Sequence, residues 1–117
     1  MSKISKNISN FSSQEVKKLF RKAKRVLRHS GLDVLCSPAT LDFGRILVIT
    51  SKKVGNAPQR NLIRRRIKSL FYEQKLYKKL IDMVIIIKKE GINLSFKQLK
   101  DILQYSIKNY EKYSLKT

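Results

Sequence analysis

The chain has 117 residues, which suffices for one domain and leaves little room for a second. Its hydrophobic fraction of 42% is that of a globular protein, which excludes a disordered polycation. Lysine and arginine together number 27 against 8 acids, a formal net charge of +19. Such an excess favours a nucleic-acid partner over an anionic membrane or an acidic protein.

The polar N-terminal segment, the length of the apolar runs and the single cysteine predict the domain boundary and the compartment of the chain. Residues 1–11 are polar and rich in Ser, Lys and Asn, so we expect a flexible basic arm followed by one domain over residues 12–117. The first ten residues lack the apolar stretch of a signal peptide, and the longest apolar run, residues 83–87, is too short to cross a bilayer. The single Cys36 fits a reducing, cytoplasmic compartment.

The first predicted element is a helix that begins at Ser12. Ser12 and Glu15 have the spacing of a capping box, in which each side chain bonds to the backbone of the other. Apolar residues recur at helical spacing from Val16 and extend as far as Leu27. The end of this helix therefore stays open, although Gly31 must lie beyond it.

Two strands are predicted next, and a third follows later in the chain. Residues 32–36 form a short apolar run that ends at Ser37-Pro38. Residues 45–51 are apolar on both faces, which predicts a buried central strand. Residues 82–87 form the third strand.

Two further helices complete the predicted order α-β-β-α-β-α. The turn at residues 53–58 opens a second helix that runs to about Tyr72, with Asn56 as its N-cap and a proline in its first turn. A last helix is predicted from Ser95, its cap, to about Tyr110.

The second helix is the most basic part of the chain. On a wheel of about 100° per residue, its apolar side comprises Ile63, Ile67, Leu70 and Phe71. A neighbouring side, which we call the basic stripe, comprises Asn61, Arg64, Arg65 and Lys68. A rigid row of cations suits a phosphate backbone and predicts salt-dependent affinity. The alternative is a solvated surface, and cations alone do not choose between RNA and DNA.

The sequence offers no active site of its own. A protein nuclease needs clustered carboxylates for metal ions, or histidines that act as acid and base. The 8 acids are scattered without ligand spacing, and His29 is the only histidine. Cys36 is expected in the core, and Gly55 alone does not make a phosphate-binding loop. We therefore predict neither a catalytic residue nor a metal ligand.

The turn and the basic helix together are more specific than their charge. Residues 51–57, Ser-Lys-Lys-Val-Gly-Asn-Ala, with Arg60-Asn61 and Arg64-Arg65 after them, resemble the signature of the bacterial ribonuclease P protein component. The resemblance implies a single small α+β domain with a mixed central sheet packed by helices, and one short strand more than predicted. It also implies a left-handed βαβ crossover around the basic helix, against the usual handedness.

The resemblance further implies a function. The chain would be an RNA-binding subunit of ribonuclease P that binds the catalytic RNA and the 5′ leader of precursor tRNA. The RNA would remove the leader endonucleolytically with bound Mg²⁺, assisted by the protein, with no membrane and no obligate protein partner. The residues implied to contact the catalytic RNA are Lys52, Lys53, Arg60, Asn61, Arg64, Arg65 and Lys68.

The leader is implied to lie in a cleft between the first helix and the sheet, at Val16 and Phe20. An aromatic ring at Phe20 can stack on an unpaired base without sequence preference, and core packing is the alternative for this residue. The chain departs from the family pattern at three positions. Leu62 replaces the second Arg of Arg-Asn-Arg, Ser69 replaces an acid, and Val16 replaces a second aromatic.

Three other functions compete with this interpretation. A ribosomal or ribosome-assembly protein would share the charge and size, but would not explain the turn and the basic helix together. A DNA-binding regulator usually needs a dimer face, which the sequence does not show. A membrane-surface helix is disfavoured because Trp is absent and the apolar side of the basic helix is needed for a core.

Overall fold

The computed structural model describes residues 6–116, with side chains from residue 6 to residue 114. Within that range, a four-stranded sheet is packed by three helices of ten residues or more, in the order α-β-β-β-α-β-α. The helices are α1 (Ser13–Lys22), α2 (Ala57–Glu73) and α3 (Phe96–Lys116). The strands are β1 (Lys24–Arg28), β2 (Leu32–Pro38), β3 (Ile46–Thr50) and β4 (Ile81–Ile87).

The sheet is mixed, and its order is β1-β2-β4-β3. Strand β2 pairs antiparallel with β1 and β4, whereas β3 runs parallel to β4, so β3, α2 and β4 form a βαβ unit. The handedness of this crossover stays a prediction of the resemblance. The prediction that residues 45–51 form a central strand was wrong, because β3 is an edge strand and β4 lies inside the sheet.

The first helix begins where the sequence predicted and ends earlier than its apolar pattern. Ser12 and Glu15 form the expected capping box. The helix stops at Lys22, and residues 24–28 then pair with β2, with a register shift between Arg25 and Leu27. The apolar residues that prolonged the helical pattern belong to an edge strand, which the predicted order lacked.

Helices α2 and α3 pack on one face of the sheet and close the core. The predicted apolar side of α2 is confirmed, since Ile63, Ile67, Leu70 and Phe71 are all at most 4% exposed. Helix α3 contributes Leu99, Leu103 and Ile107, and Ser95 caps it through a reciprocal bond pair with Gln98. Phe96 lies at the first position of the helix and is 47% exposed.

The opposite face of the sheet is only partly covered. Leu19 of α1 and Val84 of β4 are buried there, outside the main core cluster, which places α1 over this face. Beside them lie four half-buried apolar residues, which we call the open sheet face: Leu35, Leu47, Ile49 and Ile86. Strand β3 is therefore apolar on both sides because one side packs in the core and the other belongs to this open face.

The segment before α1 is packed rather than loose where it is described. Ile8 is 5% exposed within the core, and its carbonyl accepts a 2.6 Å hydrogen bond from the Ile46 backbone N–H. Asn10 offers its carbonyl to Arg45 at 2.9 Å. Residues 8–11 therefore contact the folded domain, residues 1–5 lie outside the described residues, and the flexible arm stays a prediction.

Candidate nucleic-acid interface

The turn before α2 is built around a glycine with a left-handed backbone. Gly55 has φ +62°, and a Cβ atom there would lie 2.5 Å from the Gln59 side-chain oxygen. That oxygen accepts a 2.9 Å bond from the Asn56 backbone N–H, and Asn56 Oδ1 accepts one of the same length from Gln59. The predicted N-cap is confirmed, and the turn needs a residue without a side chain at position 55.

Arg60 fastens this turn from the first turn of α2. Its Nη1 donates to the Gly55 carbonyl at 2.8 Å and to the Lys52 carbonyl at 3.3 Å. Lys52 and Lys53 themselves are exposed at the tip of the turn. Arg60 therefore positions the two lysines, and its own contact with RNA stays a prediction.

The basic stripe lies where the helical wheel placed it. Pro58 and the four stripe residues line one shallow concavity of about 570 Å³. Arg64 is held in place, since its Nη1 donates to Thr50 Oγ1 and its Nη2 to Asn61 Oδ1, both at 2.9 Å. Arg65 projects from the exposed side of the helix. The structure thus brings Asn61, Arg64, Arg65 and Lys68 together on one surface.

The cations of this surface have no acidic partner in the part of the chain that the structure describes. The ion pairs found there join Arg25 and Lys88 to Asp33, and Arg45 to Glu15. None involves the seven cations between residues 52 and 68. A row of unneutralised cations on a rigid helix attracts a polyanion and gains affinity by releasing its counterions.

The predicted leader-binding residues lie on one side of α1. Phe20 is 41% exposed, so the alternative that it packs in the core is wrong, and Val16 is half-buried one turn earlier. A concavity of about 190 Å³ between α1 and the sheet is lined by other α1 residues, among them Lys18, Leu19 and Lys22. Val16 and Phe20 are not among its lining residues, since they lie about 60° and 100° from Leu19 around the helix and further still from Lys18 and Lys22.

Arg45 was missed by the sequence reasoning, which placed it only as the start of a strand. Its side chain is 3% exposed, and its Nη1 lies 2.8 Å from Glu15 Oε2. Its Nη2 donates to Thr40 Oγ1 at 3.2 Å, and its guanidinium lies 4.2 Å from the centre of the Phe11 ring. Arg45 thereby joins α1, the segment before it and the loop before β3. No local sequence signal distinguishes a buried arginine from an exposed one.

Asp82 is buried beside Arg45 on the same side of the sheet. Its Oδ1 accepts a 2.8 Å bond from the Arg45 backbone N–H. Burial raises the pKa of this carboxyl, and the bond from Arg45 opposes that rise. Asp82 serves as an internal acceptor for the backbone rather than as a ligand facing solvent.

Cys36 and His29, which could in principle act as a nucleophile and a general base, have structural roles. Burial raises the pKa of the Cys36 thiol to about 12, so it stays protonated and is not a nucleophile. His29 Nδ1 accepts a 2.9 Å bond from the Gly31 backbone N–H and holds a turn. Over the described residues, no group of three or more His, Cys, Asp or Glu is arranged to hold a metal ion. Nor does any helix in this range have the length and apolarity needed to cross a membrane.

Comparison with known proteins identifies the family to which this chain is similar. A family model described as Ribonuclease P matches residues 9–111. The ribonuclease P protein component of Petrotoga mobilis is 38% identical over 94 residues, covering 80% of this chain and 75% of that protein. That of Bacillus pumilus is 32% identical over 95 residues, covering 80% of this chain and 79% of that protein.

Solved structures agree in fold. The ribonuclease P protein of Staphylococcus aureus superposes with a TM-score of 0.73 at 22% identity, covering 86% of this chain and 93% of that one. That of Thermotoga maritima gives a TM-score of 0.70 at 20% identity, with 86% and 94% covered. The α+β fold with a mixed sheet is therefore shared. The family match, together with the turn and the basic helix, shows that this chain belongs to the family of bacterial ribonuclease P protein components.

Proposed function

We propose that this chain is the accessory subunit of a ribonucleoprotein that removes the 5′ leader from precursor tRNA. The observation that carries the proposal is the row of cations on α2, which is rigid, concave and without acidic partners among the described residues. Such a surface binds an RNA backbone and offers no group that cleaves it. The covalent step is therefore assigned to the RNA, and the protein supplies binding and orientation.

Two surfaces of the protein bind two different RNA molecules, the catalytic RNA and the precursor tRNA. The basic stripe, with Lys52, Lys53 and Arg60 beside it, holds the catalytic RNA through phosphates. The side of α1 that carries Val16 and Phe20 holds the leader of the precursor. Support for this assignment is that Phe20 is 41% exposed, since a ring in solvent is available to stack on an unpaired base.

Mg²⁺ is the metal ion expected in the reaction, and we assign it to the RNA. Mg²⁺ prefers carboxylate and phosphate oxygens in octahedral geometry. The concavity at the basic stripe is lined by Arg, Lys, Asn and Pro side chains, and its lining contains no carboxylate. Phosphates of the RNA provide the oxygen ligands, while the stripe neutralises other phosphates nearby and lowers the Mg²⁺ concentration that the RNA needs.

The test is a reconstitution at low Mg²⁺ with a bacterial ribonuclease P RNA and a precursor tRNA that carries a leader. Cleavage at the mature 5′ end is compared without protein, with the wild-type chain and with two double variants of equal charge. Arg65→Ala with Lys68→Ala removes two stripe cations, whereas Lys78→Ala with Lys97→Ala removes two cations outside the stripe.

The proposal predicts that the wild-type chain and the Lys78/Lys97 variant both rescue cleavage, and that the Arg65/Lys68 variant loses at least tenfold in apparent affinity for the RNA. A chain that rescues nothing, while binding ribosomal RNA tightly, would instead be a structural protein of the ribosome. Equal behaviour of the two variants would remove the stripe from the RNA interface.

A further inference from the structure

A second basic groove lies at the edge of the sheet opposite to the basic stripe. Strand β1 is the edge strand opposite β3, and α3 packs on β1 and β2 while α2 packs on β3. The groove between β1 and α3 has a volume of about 410 Å³. Its lining residues are Lys24, Arg25, Val26, Asn109, Lys112 and Tyr113, none of which belongs to the stripe or to the concavity at α1.

The groove is positively charged, and its lining contains three cations and no carboxylate. Lys24 and Lys112 are exposed. Arg25 lies 3.7 Å from Asp33, but Asp33 has a closer partner in Lys88 at 2.8 Å, and the Arg25 side chain remains 44% exposed. The guanidinium is therefore available to an anion that enters the groove.

The two walls of the groove are held together by a specific bond. Asn109 Nδ2 of α3 donates to the Val26 carbonyl of β1 at 2.8 Å. Val26 is the extra residue of the register shift between Arg25 and Leu27, where the ladder with β2 is interrupted. The bond joins the bulge of β1 to α3 and fixes the spacing between the two walls of the groove.

Tyr113 supplies an aromatic surface beside these cations. Its ring packs against Tyr110, with centroids 6.4 Å apart and planes inclined by 26°, and Tyr110 is 7% exposed. Tyr113 itself is 46% exposed. A ring that packs against another ring on one side and is exposed on the other can stack on an unpaired base. An acidic peptide has no base to stack there, so the ring favours RNA as the ligand.

We propose that this groove binds a single-stranded RNA segment, with Lys24, Arg25 and Lys112 on its phosphates and one base stacked on Tyr113. The site is additional to the stripe and to the leader-binding side of α1. Because it lies at the opposite edge of the sheet, the groove and the stripe hold two different RNA segments at once. A bridge of this kind restricts the relative position of the two segments without contributing to the chemical step.

The test uses fluorescence anisotropy with a labelled ten-nucleotide oligouridylate, which forms no duplex. All proteins carry Arg65→Ala and Lys68→Ala, so that the stripe contributes little. In this background, Lys24→Ala with Lys112→Ala is compared with Lys78→Ala with Lys97→Ala, a pair of the same charge outside the groove. We expect at least a fivefold greater loss of affinity in the groove pair. Its salt slope should fall by about 1.4, since each phosphate contact on a single strand contributes about 0.7.

A second comparison tests the base platform. Tyr113→Phe keeps the ring and is expected to bind within twofold of its parent, whereas Tyr113→Ala is expected to lose about tenfold. Circular dichroism melts establish that each variant is folded. Equal losses in the two lysine pairs would overturn the proposal even if Tyr113→Ala failed to fold. An oligoglutamate that displaces the RNA at equal concentration would overturn it in favour of an acidic protein.

Discussion

Arg45 and Glu15 join the first helix to the sheet through a 2.8 Å contact between Nη1 and Oε2, in which the guanidinium is 3% exposed and the carboxylate 39%. The same guanidinium nitrogen donates to the Asn10 carbonyl at 2.9 Å. The position of α1, and of the leader-binding side proposed for it, thus depends on a buried positive charge whose ion-pair partner among the described residues is Glu15. Removing that partner leaves the charge buried, which is costly.

Glu15→Gln is expected to lower the free energy of unfolding by about 1–2 kcal/mol, because it removes the charge that compensates Arg45. Glu15 Oε1 also accepts a 2.9 Å bond from the Ser12 backbone N–H, and a glutamine can still accept it. The loss therefore reports the ion pair rather than the cap. Urea unfolding followed by circular dichroism measures this loss.

Ser12→Ala, which removes the cap and keeps the ion pair, is the control and should cost about 1 kcal/mol. A Glu15→Gln protein as stable as wild type would show that the pair contributes nothing.

The contribution of Glu15 is expected to disappear in acid. The hydrogen bond from the Ser12 backbone, followed by the one from Arg45, lowers the pKa of Glu15. Its stabilisation is therefore complete above the unfolded pKa of about 4.3 and is lost as the pH falls through the folded value. Asp82 acts in the opposite direction, since burial raises its pKa and its cost is relieved as it gains a proton. Unfolding midpoints of wild type and Glu15→Gln should differ by a constant amount above about pH 5 and converge as the pH falls through the lowered pKa of Glu15. A gap that persists in acid would contradict an electrostatic origin.

Arg64 and Arg65 are neighbours on the stripe with different structural roles. Arg64 is bonded to Thr50 Oγ1 at the end of β3, whereas Arg65 is exposed. Arg65→Ala is expected to weaken RNA binding and reduce the salt slope by about 1, with stability unchanged. Arg64→Ala is expected to reduce both binding and the free energy of unfolding, the latter by about 1 kcal/mol for the lost bond. Filter binding at several salt concentrations and urea unfolding measure the two effects.

Thr50→Val separates the two roles of Arg64. It removes the hydroxyl that accepts from Arg64 and leaves every stripe cation in place. We expect a loss of stability like that of Arg64→Ala and an unchanged salt slope. A slope that falls in Thr50→Val would show that the orientation of the guanidinium, and not only its charge, is needed on the phosphate.

Leu62 is the position where the chain departs most clearly from the family signature, and it is 38% exposed on α2. Arginine and leucine have similar helix propensities, so Leu62→Arg should leave stability unchanged. We expect tighter binding to the catalytic RNA and a salt slope steeper by about 1. Leu62→Gln controls for the loss of the apolar side chain. Identical slopes for the arginine and glutamine variants would place residue 62 outside the RNA interface.

The best-predicted part of the chain is the turn and helix over residues 53–73, because its signals are local. Asn56 caps by bonding three residues ahead, Gly55 supplies a left-handed backbone, and a period of 3.6 separates core from stripe. The end of α2 at Glu73 lies one residue from the expected end. A site on one capped helix is therefore accessible to sequence reasoning.

The parts that were missed depend on partners far away in the chain. Val26 and Leu27 continue a helical pattern, and only pairing with β2 makes them a strand. The burial of Arg45 depends on Glu15 and Asn10, which lie in other segments. Ile8 lies in a segment whose sequence is polar, and its hydrogen bond with Ile46 of β3 could not be predicted from that segment alone. In each case a tertiary contact outweighs the local preference.

Val16 is half-buried one turn before the exposed Phe20, so a larger ring at position 16 would extend the same side of α1. Val16→Phe is expected to strengthen binding of precursor tRNA to the reconstituted particle severalfold, because each stacked base contributes about 1–3 kcal/mol when fully engaged. Binding of mature tRNA, which has no leader, should not change. The two affinities are measured with labelled tRNAs, and Val16→Leu is the control for added volume without a ring. A gain shared equally by mature tRNA, or by the leucine variant, would assign the effect to packing of α1 and would remove this side of the helix from the leader-binding surface.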